Sequence, residues 1–153
     1  MRVNDDYKTV NAEAQRKFKE PDQLSVMQFW KRGLDSRKKH KESLVYGDFT
    51  LLDEHHPAIF AYKRAGPSEA FVVALNFSGK EEEWEIPKEA GVESWVAGNY
   101  TAGKPEKSTS GKITLKPWEG VLGESARWGG VMTLPISVVI KKLTSVQVWS
   151  RYR

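Results

Sequence analysis

The chain has 153 residues, 39% hydrophobic and 11% aromatic, enough for one folded domain with a core and an appendage. It contains no cysteine, which excludes disulfides and thiolate chemistry, and no run approaches the roughly 18 apolar residues of a membrane span. The net charge of +4 is unevenly held: from Ala126 onward Arg127, Lys141, Lys142, Arg151 and Arg153 stand without an acid, and removing those five from the 24 basic residues leaves 19 against 20 acids. A nearly neutral body argues against nucleic acid as a partner.

The polar start, Met1-Arg2-Val3-Asn4-Asp5-Asp6, does not read as a signal peptide, which together with the missing cysteines points to the cytosol. A short helix is expected over 11–18 with Asn11 as its cap. The clearest helix is expected over 22–41, started by Pro21 and Asp22. Val26, Phe29, Trp30, Gly33, Leu34 and Arg37 share one side at a period near 3.6, and Gln28, Lys31, Arg32, Asp35, Lys38 and Lys39 share the other. Lys38, Lys39, His40 and Lys41 complement the negative end of the helix dipole. From Leu44 the period becomes two. Strands are expected over 44–53, 59–64, 70–77, 82–86, 94–97 and 112–116, separated by turn signals such as Gly66-Pro67, Ser78-Gly79 and Ser110-Gly111. Short strands without intervening helices predict an antiparallel sandwich over 44–118, with Phe60, Tyr62, Val73, Leu75, Phe77, Trp84, Ile86, Ile113 and Leu115 supplying much of its core. The segment 126–153 differs in composition and reads as a poorly anchored tail, although its apolar run over 134–140 has the makings of an edge strand.

Candidate chemistry is sparse. His55 and His56 are adjacent, which suits a metal poorly in extended chain, and they read as exposed turn residues before Pro57. The acid clusters are Asp5-Asp6, Asp53-Glu54 and Glu81-Glu82-Glu83; none has the apolar setting that separates a general acid from a nucleophile. Of the six tryptophans, Trp30 falls on the helix stripe, and Trp84, Trp95 and Trp118 fall in strand-like segments where core packing is the usual role. Asn76-Phe77-Ser78 and Asn99-Tyr100-Thr101 are incidental glycosylation sequons.

Phe29-Trp30-Lys31-Arg32-Gly33-Leu34, Val73-Ala74-Leu75-Asn76-Phe77-Ser78 and Leu115-Lys116-Pro117-Trp118-Glu119-Gly120, with other stretches in the same order, together resemble glycoside hydrolase family 13. Met1-Arg2-Val3-Asn4-Asp5-Asp6-Tyr7 and Val10-Asn11-Ala12-Glu13-Ala14-Gln15 resemble the segment before the last barrel helix of its maltases and oligo-1,6-glucosidases. Leu24-Ser25-Val26, Phe29-Trp30-Lys31-Arg32-Gly33-Leu34 and Arg37-Lys38-Lys39-His40 resemble that helix. Leu44-Val45-Tyr46-Gly47-Asp48-Phe49, Ile59-Phe60-Ala61-Tyr62-Lys63-Arg64, Val73-Ala74-Leu75-Asn76-Phe77-Ser78 and Leu115-Lys116-Pro117-Trp118-Glu119-Gly120 resemble the C-terminal β domain. The resemblance covers about residues 1–125 and implies a retaining enzyme of terminal α-linked glucose built on a (β/α)8 barrel. Its three catalytic carboxylates lie upstream of everything here, so no catalytic residue carries over; Arg2, Val3 and Asn4 are at most the trailing edge of the active-site wall.

The expectation is therefore a mainly β chain: an antiparallel Greek-key β-sandwich preceded by one amphipathic helix left over from a barrel. Residues 1–43 would be the end of the barrel, 44–125 the sandwich and 126–153 the tail. The chain alone is expected to be structural and non-catalytic, with no cofactor and no metal. Its expected partner is the catalytic barrel, with self-association through Val26, Phe29, Trp30 and Leu34 as a further contact. The rival expectation is an α-glucan-binding module, which exposure of Trp84, Trp95 or Trp118 on a shared face would favour.

Overall fold

The computed structural model describes residues 4–126. After a 3-10 turn at Asp5–Lys8 comes α1, Ala12–Lys17, capped as expected by Asn11, whose side chain accepts from the Ala14 amide. The long helix α2 is Val26–Lys39, shorter than expected at its start. Ser25 begins it: its hydroxyl accepts from the Gln28 amide while the Gln28 side chain accepts from the Ser25 amide, satisfying two orphan donors reciprocally. Pro21 and Asp22 form the turn before it, with Asp22 at a φ of 57°.

A short helix, α3 at Lys41–Leu44, replaces the first residues of the strand expected over 44–53, so that β1 covers only Asp48–Leu51. The remaining strands are β2 (Ile59–Ala65), β3 (Ala70–Asn76), β4 (Glu82–Glu85), β5 (Val92–Gly98), β6 (Lys112–Leu115) and β7 (Gly120–Ser125). Every pair is antiparallel. The larger sheet has the order β1-β2-β3-β7-β5, and β4 pairs with β6 in a second sheet. The chain crosses between sheets at each step from β3 to β7, and β7 closes the larger sheet by inserting between β3 and β5. The sequence reading had no strand at 120–125, where Gly120, Gly123 and Glu124 break the apolar alternation. Gly123 has a packing reason: a Cβ there would stand 2.9 Å from Cε3 of Trp95 on the neighbouring strand.

The core lies between the two sheets. It combines Ile59, Ala61, Val72, Ala74, Val92, Trp95 and Val121 from the larger sheet with Trp84, Ile113 and Leu115 from the smaller, and Ile86 and Ala90 beside them. Trp84, Ile86, Ile113 and Leu115 are buried as expected. Phe60, Tyr62, Val73, Leu75 and Phe77 are not part of this core, and Phe77 is 61% exposed. They occupy the opposite face of β2 and β3. The alternation was legible, but the face with the larger side chains is not the one against the second sheet. The inner face uses small residues, Ala61 and Ala74, which leaves room for Trp84 from the smaller sheet and for Trp95 on the same sheet. Burying Val72 or Leu115 fully contributes roughly 1.5–3 kcal/mol each.

Between α2 and the β2–β3 turn the chain makes a close knot. Buried Ser43 donates to the Glu69 carbonyl at 3.0 Å, and His40 Nδ1 lies 2.8 Å from Glu69 Oε2. Gly66 is required there, since a Cβ would sit 2.9 Å from the Ser43 Cα.

Candidate functional surface

Helix α2 is attached to the larger sheet by the side expected to be polar. Arg32 donates to the carbonyls of Ala102 and, at 3.4 Å, Val96; with Phe29, Gly33 and Ser36 it borders an apolar groove of about 390 Å³ against Val73, Leu75 and Leu122. At about 100° per residue, Trp30 and Arg32 stand on opposite sides of the helix. Trp30 is accordingly 65% exposed and Val26 67%, with Leu34 and Met27 also in solvent. Part of the stripe, Val26, Trp30 and Leu34, turns away from the domain that carries it, while Phe29 and Gly33 border the groove. Arg32 lies on the side expected, opposite Trp30; that this side faces the sheet has no periodic signal, because its guanidinium reaches backbone carbonyls remote in sequence.

Next to the second half of α2, Phe49, Phe60 and Tyr62 form an aromatic group on β1 and β2. The Phe49 and Tyr62 rings stack with centroids 5.2 Å apart, and Phe60 lies 5.5 Å from Tyr62. Together with Gly33, Arg37, Leu44, Val45 and Arg64 they line a depression of about 590 Å³. Arg64 is committed in part to its own chain, donating to Val45 O at 2.7 Å and Ser43 O at 3.4 Å.

At the mouth of the apolar groove, Trp118 lies in a turn rather than a strand, with a φ of 56° and 61% of its surface exposed. Pro117 at the second turn position and the Glu119 amide bonded to Lys116 O at 3.0 Å place Trp118 where a type II turn demands positive φ. Surrounding bonds hold it there: the Trp118 amide donates to Ser78 O, Asn99 Nδ2 donates to Trp118 O, and buried Glu119 accepts from the Lys116 amide at 2.7 Å and pairs with Lys107 at 3.1 Å.

The acid clusters are dispersed. Asp5 and Asp6 are exposed in the first turn. Asp53 Oδ1 accepts the His55 and His56 amides, each at 3.1 Å, and exposed Glu83 and Glu85 pair with Lys112 at 2.6 and 3.6 Å. Hydrogen bonding and charge from Glu83 raise the Lys112 pKa. His55 is exposed as expected. His56 is half-buried and structural: its Nδ1 accepts from the Ala58 and Ile59 amides at 3.2 and 2.9 Å. Asn76 is buried, its amide donating to Lys80, Leu115 and Lys116 carbonyls, so the first sequon is closed to glycosylation. Asn4 is exposed ahead of the first turn; Arg2 and Val3, like the tail after Ala126, lie outside the described residues. Among the described residues no cluster of three His, Asp or Glu is placed to hold a metal ion, and no helix is long and apolar enough to cross a membrane.

The class that the fold defines is a two-sheet antiparallel β domain with a helix laid over its five-stranded face. Isomaltulose synthase from Klebsiella sp. LX3 has this fold, with a TM-score of 0.68 at 24% identity over 80% of this chain and 21% of that one. The isomaltulose synthase of Erwinia rhapontici NX5, as the D241A mutant, gives 0.67 at 21% identity over 81% and 21%. In sequence the chain is 41% identical over 100 residues to the α-glucosidase MAL32 of Saccharomyces cerevisiae, covering 65% of this chain and 16% of that protein. It is 33% identical over 122 residues to the α-glucosidase of Schizosaccharomyces pombe, 80% and 20%, and 36% identical over 112 residues to the oligo-1,6-glucosidase IMA3 of S. cerevisiae, 72% and 18%. No protein-family model matches. The chain belongs with the glycoside hydrolase family 13 α-glucosidases, and its mostly antiparallel sheet structure matches their β-rich C-terminal domain. It spans about a fifth, or less, of the length of these relatives.

Proposed function

We propose that this chain does the structural work of an α-glucosidase C-terminal region, supporting a barrel that hydrolyses terminal α-linked glucose, and that it is not itself catalytic. The observation that carries the reading is the orientation of α2. A helix bound to its own sandwich through Arg32, with Val26, Trp30 and Leu34 turned outward, offers that apolar ridge to another body. In the family that the sequence resembles, that body is the barrel. The absence of catalytic function is supported by the acid clusters, which are exposed or engaged by Lys112 and backbone amides rather than facing each other across an apolar cleft. A cytosolic setting accompanies this reading and rests on the cysteine-free composition.

The rival reading, an α-glucan-binding module, called for tryptophans on a shared face. Trp84 and Trp95 are in the core, leaving Trp118 alone of the three in solvent. The test is an assay of the purified chain on maltose, isomaltose and an aryl α-glucoside. No turnover is expected. Activity that co-purifies with the chain and vanishes when a carboxylate within it is replaced would overturn the proposal.

A further inference from the structure

Helix α2 lies over β3 and β7, where Val73, Leu75 and Leu122 face it across the groove, and leaves the same face of β1 and β2 bare. Phe49 and Phe60 are accordingly 53% and 40% exposed. Phe49 pairs with Arg64 across β1 and β2, which puts a ring and a guanidinium side by side on that face. The Arg64 guanidinium is fixed by its own chain: Nε and Nη2 donate to Ser43 O and Val45 O, and Nη1 has no acceptor among the described residues. Arg37 lines the depression from α2, without a hydrogen-bond or ion-pair partner among the described residues. The lining is chemically one-sided. Its charged side chains are these two guanidiniums, which only donate, and none is acidic. The Tyr62 hydroxyl is the one side-chain acceptor in it, and the carbonyls of Ser43 and Val45 are engaged by Arg64. A sugar would bring several hydroxyl hydrogens that find few acceptors there; an oxyanion brings acceptors only.

We propose that this depression binds a flat aromatic ring bearing an oxyanion, a carboxylate or a phosphate. The ring packs against Phe49, Phe60 and Tyr62, and the anion is held by Arg37 and Arg64. The volume of about 590 Å³ falls within the roughly 300–1,000 Å³ of small-molecule sites. A guanidinium already held by two backbone bonds loses little freedom on taking an anion, so Arg64 is preorganised for it. This inference does not rest on the glucosidase reading, and activity assays leave it untouched.

NMR of the whole chain, titrated separately with phenyl phosphate and with benzoate, tests it. Saturable shifts are expected at Gly33, Phe49, Phe60, Tyr62 and Arg64 with at least one of the two, and the tighter one identifies the anion. Added salt should weaken the binding. Inorganic phosphate, which lacks the ring, and benzyl alcohol, which lacks the charge, should each bind at least about tenfold more weakly. Arg37→Gln and Phe49→Ala alter exposed side chains, so folding is expected to survive, and a thermal melt of each variant checks it. Each should raise the dissociation constant by about three- to tenfold. The proposal is overturned if neither aryl anion gives saturable shifts, or if the shifts centre on another part of the chain. It is equally overturned if benzyl alcohol or inorganic phosphate binds as tightly, if methyl α-glucoside binds more tightly, or if both folded variants bind as the native chain does.

Discussion

The ammonium of Lys63 on β2 donates to the carbonyl of Ala126 at 2.9 Å, tying the end of β7 to a strand two places away in the sheet. The same Nζ donates to Ala90 O at 3.2 Å and Glu89 O at 3.3 Å, and the Ala126 amide returns to Gly91 O at 2.7 Å. Lys63 is buried, and its described acceptors are all backbone carbonyls. A truncation is therefore sensitive to a single residue. Ending the chain after Ala126 should leave the denaturant midpoint nearly unchanged. Ending it after Ser125 removes one acceptor of a buried cation and should cost about 1–3 kcal/mol in urea melts. Equal midpoints for the two truncations would show that the Lys63–Ala126 contact contributes nothing.

Burial lowers the pKa of Lys63 below its ordinary 10.5. The folded state then holds that proton less tightly than the unfolded chain. Over the interval between the lowered value and 10.5 the unfolded state binds more protons, so stability rises with pH there. Other lysines and tyrosines also titrate in this range, and a Lys63→Met variant supplies the reference. Stability of the native chain relative to Lys63→Met should increase as pH is raised from neutrality toward 10.5, measured by paired urea melts. A difference that is flat or falls would contradict the burial of the charge.

Leu115 and Phe77 give the test of which face is the core. Leu115 is fully buried between the sheets, so Leu115→Ala should cost about 2–5 kcal/mol in denaturant melts. Phe77→Ala should cost less than about 1 kcal/mol, since the side chain is mostly in solvent. The reverse order would return the core to the face expected from residue size.

Trp118 sits in the left-handed region, which costs an L-residue roughly 1–2 kcal/mol. If only local backbone geometry mattered, Trp118→Gly would stabilise the chain by up to about 1 kcal/mol. Trp118→Ala keeps the strain and removes the same side chain. The glycine variant should therefore melt above the alanine variant, and a thermal scan of both checks it. Equal melting points would mean that the turn relaxes when the ring is removed.

The sequence by itself determined the elements that depend on neighbours in the chain. Asn11 caps α1, Lys38 and Lys39 close α2, and alternation marks most strands, because side-chain period and capping are local physics. The similarity of Leu115-Lys116-Pro117-Trp118-Glu119-Gly120 and the motifs before it to family 13 was equally legible, since it needs only order and spacing. Tertiary structure decided which face of each element is inside. Phe77 and Leu75 alternate with Ala74 as clearly as a strand allows, but only the bulk of Trp84 across the gap and of Trp95 in the same sheet makes the alanine face the one that fits. Arg32 faces the sheet because carbonyls of Val96 and Ala102, more than sixty residues later, are there to accept its hydrogens. Lys63 can be buried because the Lys88–Ala90 turn and Ala126 bring three carbonyls to one point. Period identifies two faces and cannot rank them; the choice rests on volume and hydrogen-bond partners supplied by residues remote in sequence.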